Sequence, residues 1–429
     1  MKMDAMTIKK ASAMPAPTWS WLKMNSVDIE VPDGLERRCR VEIEAAESLT
    51  DNMKSFEGAL AELQARLDEA RAAQGAAADS RAVVRAAQGV DQGAADLDTP
   101  ALSASERTAV LSEVAGDAQR DFETGVGINA RSYLNFLAGG SVVLAAEEGA
   151  AEEASIRVTA QAGEASGASV DVVAAPDSAL TLTVSLDSDA SEPAFTGSTL
   201  RVFAGARSRV DVTVYVTGSD AVTAVEDSGF VLDEGARVNV RHVVLGGRFA
   251  ATGLAADLRG DRSCIDIDTS YLAGGSSQRD FNYVIRHRGK KTVSNMDANG
   301  VLTGTAKKCL RGTIDLIHGA KGAEGNERET VLLASRGVDN KTIPTILCDE
   351  DDVEGSHGAA IGTVSPEQLA YLSDRGLTED EAEGLFRRAI VDDAAITLPG
   401  DAPAAVISWA ERALGAQTAA EIRDMIEEA

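Results

Sequence analysis

The segment from Cys348 to His357 contains the side chains of this sequence that are best suited to metal binding or proton transfer. One thiol, five carboxylates and one imidazole lie within these ten residues. Thiolate and imidazole are ligands that iron and zinc prefer in proteins. Gly355 and Gly358 bracket the histidine and leave space around its ring. The pattern is consistent with a metal ligand or a proton carrier at His357, and also with a surface histidine in an acidic turn.

Cys348 likewise allows two interpretations. A lone cysteine after an apolar run is often a small buried residue, whereas a turn in the acidic run would bring its sulfur near His357 as a second ligand. The acidic run does not match a calcium-binding EF-hand loop. Its alternating carboxylates break off at Val353, and no glutamate follows at the twelfth position of the loop. The sequence also lacks the HExxH, CxxC, GxSxG and P-loop patterns. Neither hydrolase nor nucleotide-binding chemistry is therefore predicted.

The composition limits the function further. The 429 residues carry a formal net charge of -27, and a field of that sign repels nucleic-acid backbones and anionic lipid surfaces. No apolar run approaches the roughly 20 residues that span a bilayer, and the N-terminus lacks the apolar core of a secretion signal. We therefore expect a cytoplasmic protein without nucleic-acid or membrane partners, whose four widely separated cysteines are free thiols.

Hydrophobic periodicity divides the chain into three regions. Residues 1–138 are predicted to form an N-terminal helical region, since leucines recur at helical spacing around Leu63 and a second such pattern covers residues 104–122. Residues 139–364 change to short strands in which apolar and polar residues alternate. Residues 365–429 return to helical patterns and are predicted to form a C-terminal helical region.

The strand region carries a loose repeat of an apolar, a polar and an apolar residue. Copies begin at Val170, Val210, Val238 and Ile265, and the last three are spaced as successive rungs of a solenoid would be. Stacked rungs place like strands in register, so their inward apolar side chains form continuous ladders. Clear hairpin turns are few, which favours a parallel β-helix over a β-sandwich.

Five further motifs stand in a fixed order in the second half of the chain. They are Asn299-Gly-Val-Leu302, Leu310-Arg-Gly-Thr-Ile-Asp-Leu316, Gly319-Ala-Lys-Gly-Ala323, Asp352-Val-Glu-Gly-Ser-His-Gly358 and Tyr371-Leu-Ser-Asp-Arg-Gly376. Their order and spacing resemble the SufB/SufD family, whose members are scaffold subunits of iron–sulfur cluster assembly. The resemblance implies a mainly β protein with a right-handed parallel β-helix, flanked by N-terminal and C-terminal α-helical regions.

The resemblance also implies partners and a cargo. Such a chain pairs through its β-helix with a SufB-type paralogue or with a second copy of itself, and its C-terminal helices dock an ABC-type ATPase, SufC. A cysteine desulfurase system supplies sulfur indirectly. A transient iron–sulfur cluster then lies at the subunit interface, with His357 as a metal ligand, and the chain is a scaffold that is not an enzyme and binds no nucleotide. The residues expected to meet the ATPase are Tyr371, Arg375, Leu385 and Phe386.

Two departures from the SufB pattern favour a SufD-like role. The alignment places Glu329 where SufB proteins carry the cysteine expected to ligate the cluster, and Gly358 follows the histidine where they carry glutamate. Glu329 can still supply an oxygen ligand, with Cys348 as a further candidate. Three alternatives stay open: a SufB-like or homodimeric scaffold that holds the cluster itself, a carbohydrate-active β-helix enzyme, and a purely structural interaction protein.

Overall fold

The computed structural model describes residues 3–18, 23–50, 58–59, 61–66, 68, 122–363, 366–396 and 402–428. Most of the helix predicted for residues 104–122 lies outside these ranges, and so does the side chain of Phe386. The strands, in chain order, are β1 Met6–Ala11, β2 Val27–Val31, β3 Glu36–Arg37, β4 Val41–Ala45, β5 Val142–Ala146, β6 Ala151–Val158, β7 Glu164–Ala174, β8 Ala179–Leu186, β9 Ala194–Ala204, β10 Arg209–Val216, β11 Val222–Leu232, β12 Arg237–Val244, β13 Phe249–Leu258, β14 Cys264–Ala273, β15 Gln278–His287, β16 Val293–Leu302, β17 Lys307–Leu316, β18 Ala323–Leu333, β19 Asp339–Cys348 and β20 Val353–Thr363.

Helices lie between β4 and β5 and again after β20. They are α1 Glu47–Thr50, α2 Ile128–Ala138, α3 Pro366–Ser373, α4 Glu379–Ile396, α5 Ala402–Leu414 and α6 Ala416–Glu428. Residues 58–59, 61–66 and 68 are helical as well. No helix in the described ranges is long and apolar enough to cross a membrane.

Two sheets alternate along the chain and wind into a solenoid. Even-numbered strands from β4 to β20 form one nine-stranded sheet, and odd-numbered strands from β3 to β19 form the other. At the first end of the odd-numbered sheet, both β3 and β5 pair with β7. From β6 onward each strand pairs in parallel with the strand two places later in the chain. The first strand of the even-numbered sheet, β4, runs antiparallel to β6. The predicted fold class, a mainly β solenoid with flanking helices, is confirmed.

Ladders of apolar side chains build the interior of the solenoid. Val210, Val238 and Ile265 are register partners on β10, β12 and β14, and all three are buried in the main core. The repeat seen in the sequence therefore reports the true rung spacing at these positions. The copy at Val170 belongs to the odd-numbered sheet and stacks on Leu200 instead. Burial of each large apolar side chain stabilises the fold by about 1.5–3 kcal/mol, so long ladders hold the rungs together.

The N-terminal region differs from the prediction. Residues 1–138 are predicted to be helical, whereas the described part contains strands β1 to β4 besides its helical segments. Val27–Val31 and Val41–Ala45 alternate apolar and acidic residues, which is a strand pattern. β1 and β2 pair with each other, while β3 and β4 extend the two solenoid sheets. Pairing with the solenoid stabilises β3 and β4 as strands, and helices occupy other parts of this region, including residues 61–66 and α2.

Residues 122–127 form a strap on the outer face of the odd-numbered sheet. The backbone N–H of Gly125 donates to the carbonyl oxygen of Ser228 at 3.1 Å, and the carbonyl of Gly125 accepts a 2.7 Å hydrogen bond from the side chain of Asn282. The approach to β13 is so close that a methyl group on Gly253 would lie 2.3 Å from a backbone nitrogen of the strap. Only glycine allows the strap this position.

The C-terminal helices pack on the outer face of the even-numbered sheet. Tyr215 of that sheet shares a buried apolar cluster with Val406 and Trp409 of α5. Arg412 donates to the carbonyl oxygen of Thr217 at 3.0 Å and fixes the same helix to the solenoid. The region after residue 365 is therefore joined to the solenoid by a core of its own.

His287 ends β15 and is fully buried inside the solenoid. Its two ring nitrogens hydrogen-bond the hydroxyls of Thr292 at 2.8 Å and Ser294 at 2.9 Å. Burial lowers the pKa of His287 from 6.5 to about 4. Between those two pH values the unfolded chain binds a proton that the folded chain does not bind, so stability is lost as the pH falls through this window.

We expect His287→Gln to reduce that acid sensitivity. This residue should account for about 3 kcal/mol of the stability lost between about pH 7 and pH 4, and glutamine cannot titrate. Urea unfolding at a series of pH values measures the effect. His318→Gln is the matched control, because His318 is exposed. Its free energy of unfolding should depend on pH with the same slope as that of the wild type. Equal slopes for wild type and His287→Gln would contradict the assignment.

Candidate functional site

The last two strands, β19 and β20, form an open end of the solenoid. They are the terminal strands of the two sheets, so each has one edge without a strand partner among the described residues. Every residue from 354 to 363 is exposed, and Ile361 leaves 52% of its surface accessible. An exposed edge that carries apolar side chains is a place where another chain can add strands.

His357 stands on β20 at this open end. Its register partner on β18 is Glu327, and register partners in parallel strands project their side chains to the same face. The exposed residues that flank them, such as Asn326 and Ser356, line a cleft of about 390 Å³ on the opposite, outward face of the sheet. The fold therefore exposes the imidazole and sets it beside a carboxylate from the preceding rung.

Glu327 is a candidate that the sequence motifs do not reveal. It occupies the ladder position filled by Ile267 and Met296 in the two preceding rungs, and only 6% of it is exposed. Neither carboxylate oxygen has a hydrogen-bond partner among the described residues. Burial raises the pKa of Glu327 to about 7, and the charge of Glu329 adds to the rise. The available sequence signal is a carboxylate at an inward ladder position, where acidic residues are rare.

Glu329, the predicted oxygen ligand, is held inside the solenoid. It forms a buried ion pair with Lys308 and accepts hydrogen bonds from the hydroxyls of Tyr271 at 3.0 Å and Thr342 at 2.6 Å. Lys308 also donates to Thr342 at 3.1 Å and to the carbonyl oxygen of Lys341 at 3.2 Å. Burial lowers the pKa of Lys308, while the charge of Glu329 opposes that change. Glu329 would have to leave its donors in order to bind a metal ion.

Cys348 ends β19 in the opposite sheet and is exposed. Its thiol donates to the backbone carbonyl of Glu350 at 3.3 Å. Within the described ranges, no group of three or more His, Cys, Asp or Glu side chains is arranged to hold a metal ion. A complete set of ligands at this end of the solenoid would therefore need atoms beyond those of the described residues.

The residues predicted to meet an ATPase lie on α3, α4 and the turn between them. Tyr371 is 55% exposed, and the guanidinium carbon of Arg375 lies 3.7 Å from the centre of its ring. Leu385 is 46% exposed on α4, the helix that also contains Phe386. Exposed apolar groups on helices anchored to a rigid body form a surface that a partner can reach.

Fold and site together define a class of protein. It is a parallel β-solenoid whose open terminal strand exposes a histidine and whose C-terminal helices pack on its side. Residues 156–390 match the family model described as SUF system FeS cluster assembly, SufBD core domain. The chain belongs to the SufB/SufD family of iron–sulfur cluster assembly proteins, as its motifs predicted.

Individual relatives agree with this assignment over shorter stretches. The iron–sulfur cluster assembly protein SufD of Bacillus subtilis is 34% identical over 129 residues, which is 30% of each chain. A SufBD family protein of Mycobacterium bovis is 34% identical over 128 residues, or 30% of this chain and 15% of its own length. One of Synechocystis is 27% identical over 143 residues, or 33% of this chain and 30% of its own length. This chain therefore spans less than a third of the length of each relative.

Proposed function

We propose that this chain is the SufD-like subunit of an iron–sulfur cluster assembly complex. The cluster is its cargo, built transiently at an interface and then passed on to other proteins. The observation that carries the proposal is the exposed position of His357 on the terminal strand of the solenoid. An imidazole at such an edge can ligate iron that is shared with a second subunit.

The open end is the proposed interface with a SufB-type paralogue. Its support is the terminal position of β19 and β20 in the two sheets and the exposure of β20, which includes Ile361. Strand addition to such an edge supplies backbone hydrogen bonds and covers apolar surface in one step. A second copy of this chain could use the same edge, which is the homodimeric alternative.

Most sulfur ligands of the cluster would come from the partner subunit. Thiolate is the usual ligand of iron–sulfur clusters, whereas the carboxylate of Glu329 is engaged by Lys308. Cys348 is the proposed thiol ligand from this chain, since its side chain is exposed on the last odd-numbered strand. Glu329 remains a weaker candidate that would act only after its ion pair opened.

ATP hydrolysis belongs to a SufC-type ATPase in this proposal. Its dock is α3 with the first turns of α4, where Tyr371, Arg375, Leu385 and Phe386 are the proposed contacts. The following helix α5 is anchored on the solenoid through Trp409, so movement of the dock would be transmitted to the rungs. Nucleotide binding would then bias the complex between a closed and an open interface.

Anaerobic reconstitution tests this function. The complex is assembled from this chain, a SufB-type subunit, the ATPase and a cysteine desulfurase, with ferrous iron and cysteine, and the cluster is followed by visible absorbance. We expect His357→Ala to reduce the cluster formed by roughly tenfold or more while the complex still elutes intact. His318→Ala, which alters another exposed histidine, should be unimpaired. Normal assembly by His357→Ala would refute the proposal, and a stoichiometric cluster on this chain alone would favour the homodimeric scaffold.

The same preparation tests the ATPase dock. Leu385→Asp is expected to weaken binding of the ATPase by roughly tenfold or more, because it places a charge in the proposed apolar contact. Val142→Asp changes another exposed apolar residue, on β5 near the start of the solenoid, and should bind normally. Equal affinities of the two variants, measured by calorimetry, would place the dock elsewhere.

A further inference from the structure

We propose that Glu327 and His357 form a carboxylate–imidazole half-site for a single ferrous ion at the open end of the solenoid. The family motif contains the histidine, whereas the carboxylate comes from the preceding rung. The inference deepens the proposed function and rests on it for its biological role, because iron bound here would stand where the cluster is to be built.

The register of the solenoid brings the two side chains together. Glu327 on β18 and His357 on β20 are paired positions in adjacent parallel strands, which run about 4.8 Å apart. Side chains that start from neighbouring positions on one face can converge on one ion at ligand distances of about 2 Å.

Glu327 lacks the partners that a buried carboxylate normally has. Only 6% of it is exposed, and neither oxygen is hydrogen-bonded within the described structure. Glu329 lies two residues further on the same face. It is paired with Lys308 and accepts hydrogen bonds from the hydroxyls of Tyr271 and Thr342. An uncompensated buried carboxylate is costly, and such a group in a native structure points to an ion or water that completes it. The charge of Lys308 acts on Glu327, but neither oxygen receives a hydrogen bond, and a cation held between Glu327 and the imidazole would give the carboxylate a direct partner.

The facing strand leaves room for this carboxylate. Gly312 lies opposite on β17, and a methyl group added to it would lie 2.3 Å from Oε1 of Glu327. One rung earlier the same ladder position holds Tyr283, which is buried in the core. Gly312 has no side chain to pack at this position, and the carboxylate of Glu327 occupies the space.

The donor set identifies the chemical class of the ion. Imidazole and carboxylate together suit iron(II) and similar borderline divalent metals better than calcium or magnesium, which prefer oxygen alone. Two protein ligands leave several coordination positions open. Water can fill them in the isolated chain, and partner ligands or sulfide can replace that water during assembly.

Anaerobic calorimetric titration of the full chain with ferrous iron, without partners, tests the half-site. We expect the wild type to bind one iron per chain and Glu327→Gln to bind it at least roughly tenfold more weakly, with His357→Ala weakened to a similar extent. Gly312→Ala should also bind more weakly, because its methyl group displaces the carboxylate without changing either ligand. Glutamine matches the shape of Glu327 and no hydrogen bond is lost, so circular dichroism should show an unchanged fold.

Glu354→Gln is the matched control, since Glu354 is an exposed carboxylate on β20 three residues before the histidine. It should bind iron as the wild type does. The half-site is refuted if Glu327→Gln binds iron like the wild type, if Glu354→Gln loses as much affinity as Glu327→Gln, or if the wild type binds no iron. Unchanged iron binding by Glu327→Gln together with failed assembly by His357→Ala would remove the half-site and leave the function standing. Intact assembly by His357→Ala together with weakened iron binding would refute the proposed function and leave the half-site standing.

Discussion

Replacing Lys308 by methionine should lower the free energy of unfolding by about 3–5 kcal/mol. The ammonium group is buried inside the solenoid and forms an ion pair with Glu329. Methionine fills a similar volume but leaves the carboxylate of Glu329 in the interior without its counter-charge. The remaining hydrogen bonds from Tyr271 and Thr342 offset only part of that cost. Urea unfolding followed by far-ultraviolet circular dichroism measures the change.

Two companion variants separate the ion pair from its surroundings. Lys307→Met alters the neighbouring lysine, which is exposed, and should change stability by less than about 0.5 kcal/mol. A double variant that also carries Glu329→Leu should recover most of the loss, because removing both partners leaves no unpaired charge. If Lys308→Met is as stable as Lys307→Met, the interior pair does not contribute as described.

Gly253→Ala is expected to cost about 3 kcal/mol of stability, near the upper end of the range for overpacked sites. Its methyl group would lie 2.3 Å from the backbone nitrogen of Val126 and 2.5 Å from the carbonyl carbon of Gly125. Both contacts are with backbone atoms, so no side-chain rotation can relieve them. The strap of residues 122–127 would have to lift from β13, and limited proteolysis should then cut the strap faster than in the wild type.

Gly362→Ala is the matched control for the strap. Gly362 lies in β20, and an added methyl group would meet nothing within 4 Å. Both variants exchange a strand glycine for alanine, so intrinsic backbone preferences are equal and only the contact differs. Equal melting temperatures and equal rates of cleavage for the two variants would contradict the close packing of the strap on Gly253.

Lys308 and Gly253 lie in different layers of the same solenoid. Lys308 and Glu329 lie in its interior, near the open end that carries the proposed iron site. Gly253 lies on the outer face, where the N-terminal strap covers the odd-numbered sheet. Loss of the interior pair should therefore affect assembly as well as stability, whereas lifting the strap should leave iron binding by Glu327 and His357 intact.

Much of the architecture can be predicted from the sequence because the interior repeats. Val210, Val238 and Ile265 share a local pattern, and each lies directly above the previous one in the structure. The helical prediction for residues 1–138 overlooks the strand pattern of β4, while β3 is too short to carry a pattern and depends on pairing with β7. A short segment of that kind takes its structure from the sheet it joins and only weakly from its own propensity.

The amino-acid sequence by itself determined the class of fold, the family and the prominence of His357. Rung periodicity and motif order are local properties that can be read along the chain. Only the tertiary structure decided which distant residues are neighbours: Glu327 with His357, and Lys308 with Glu329. The physical reason is that turns of unequal length separate the strands, so the register that stacks one rung on the next is set by the packing of the whole solenoid.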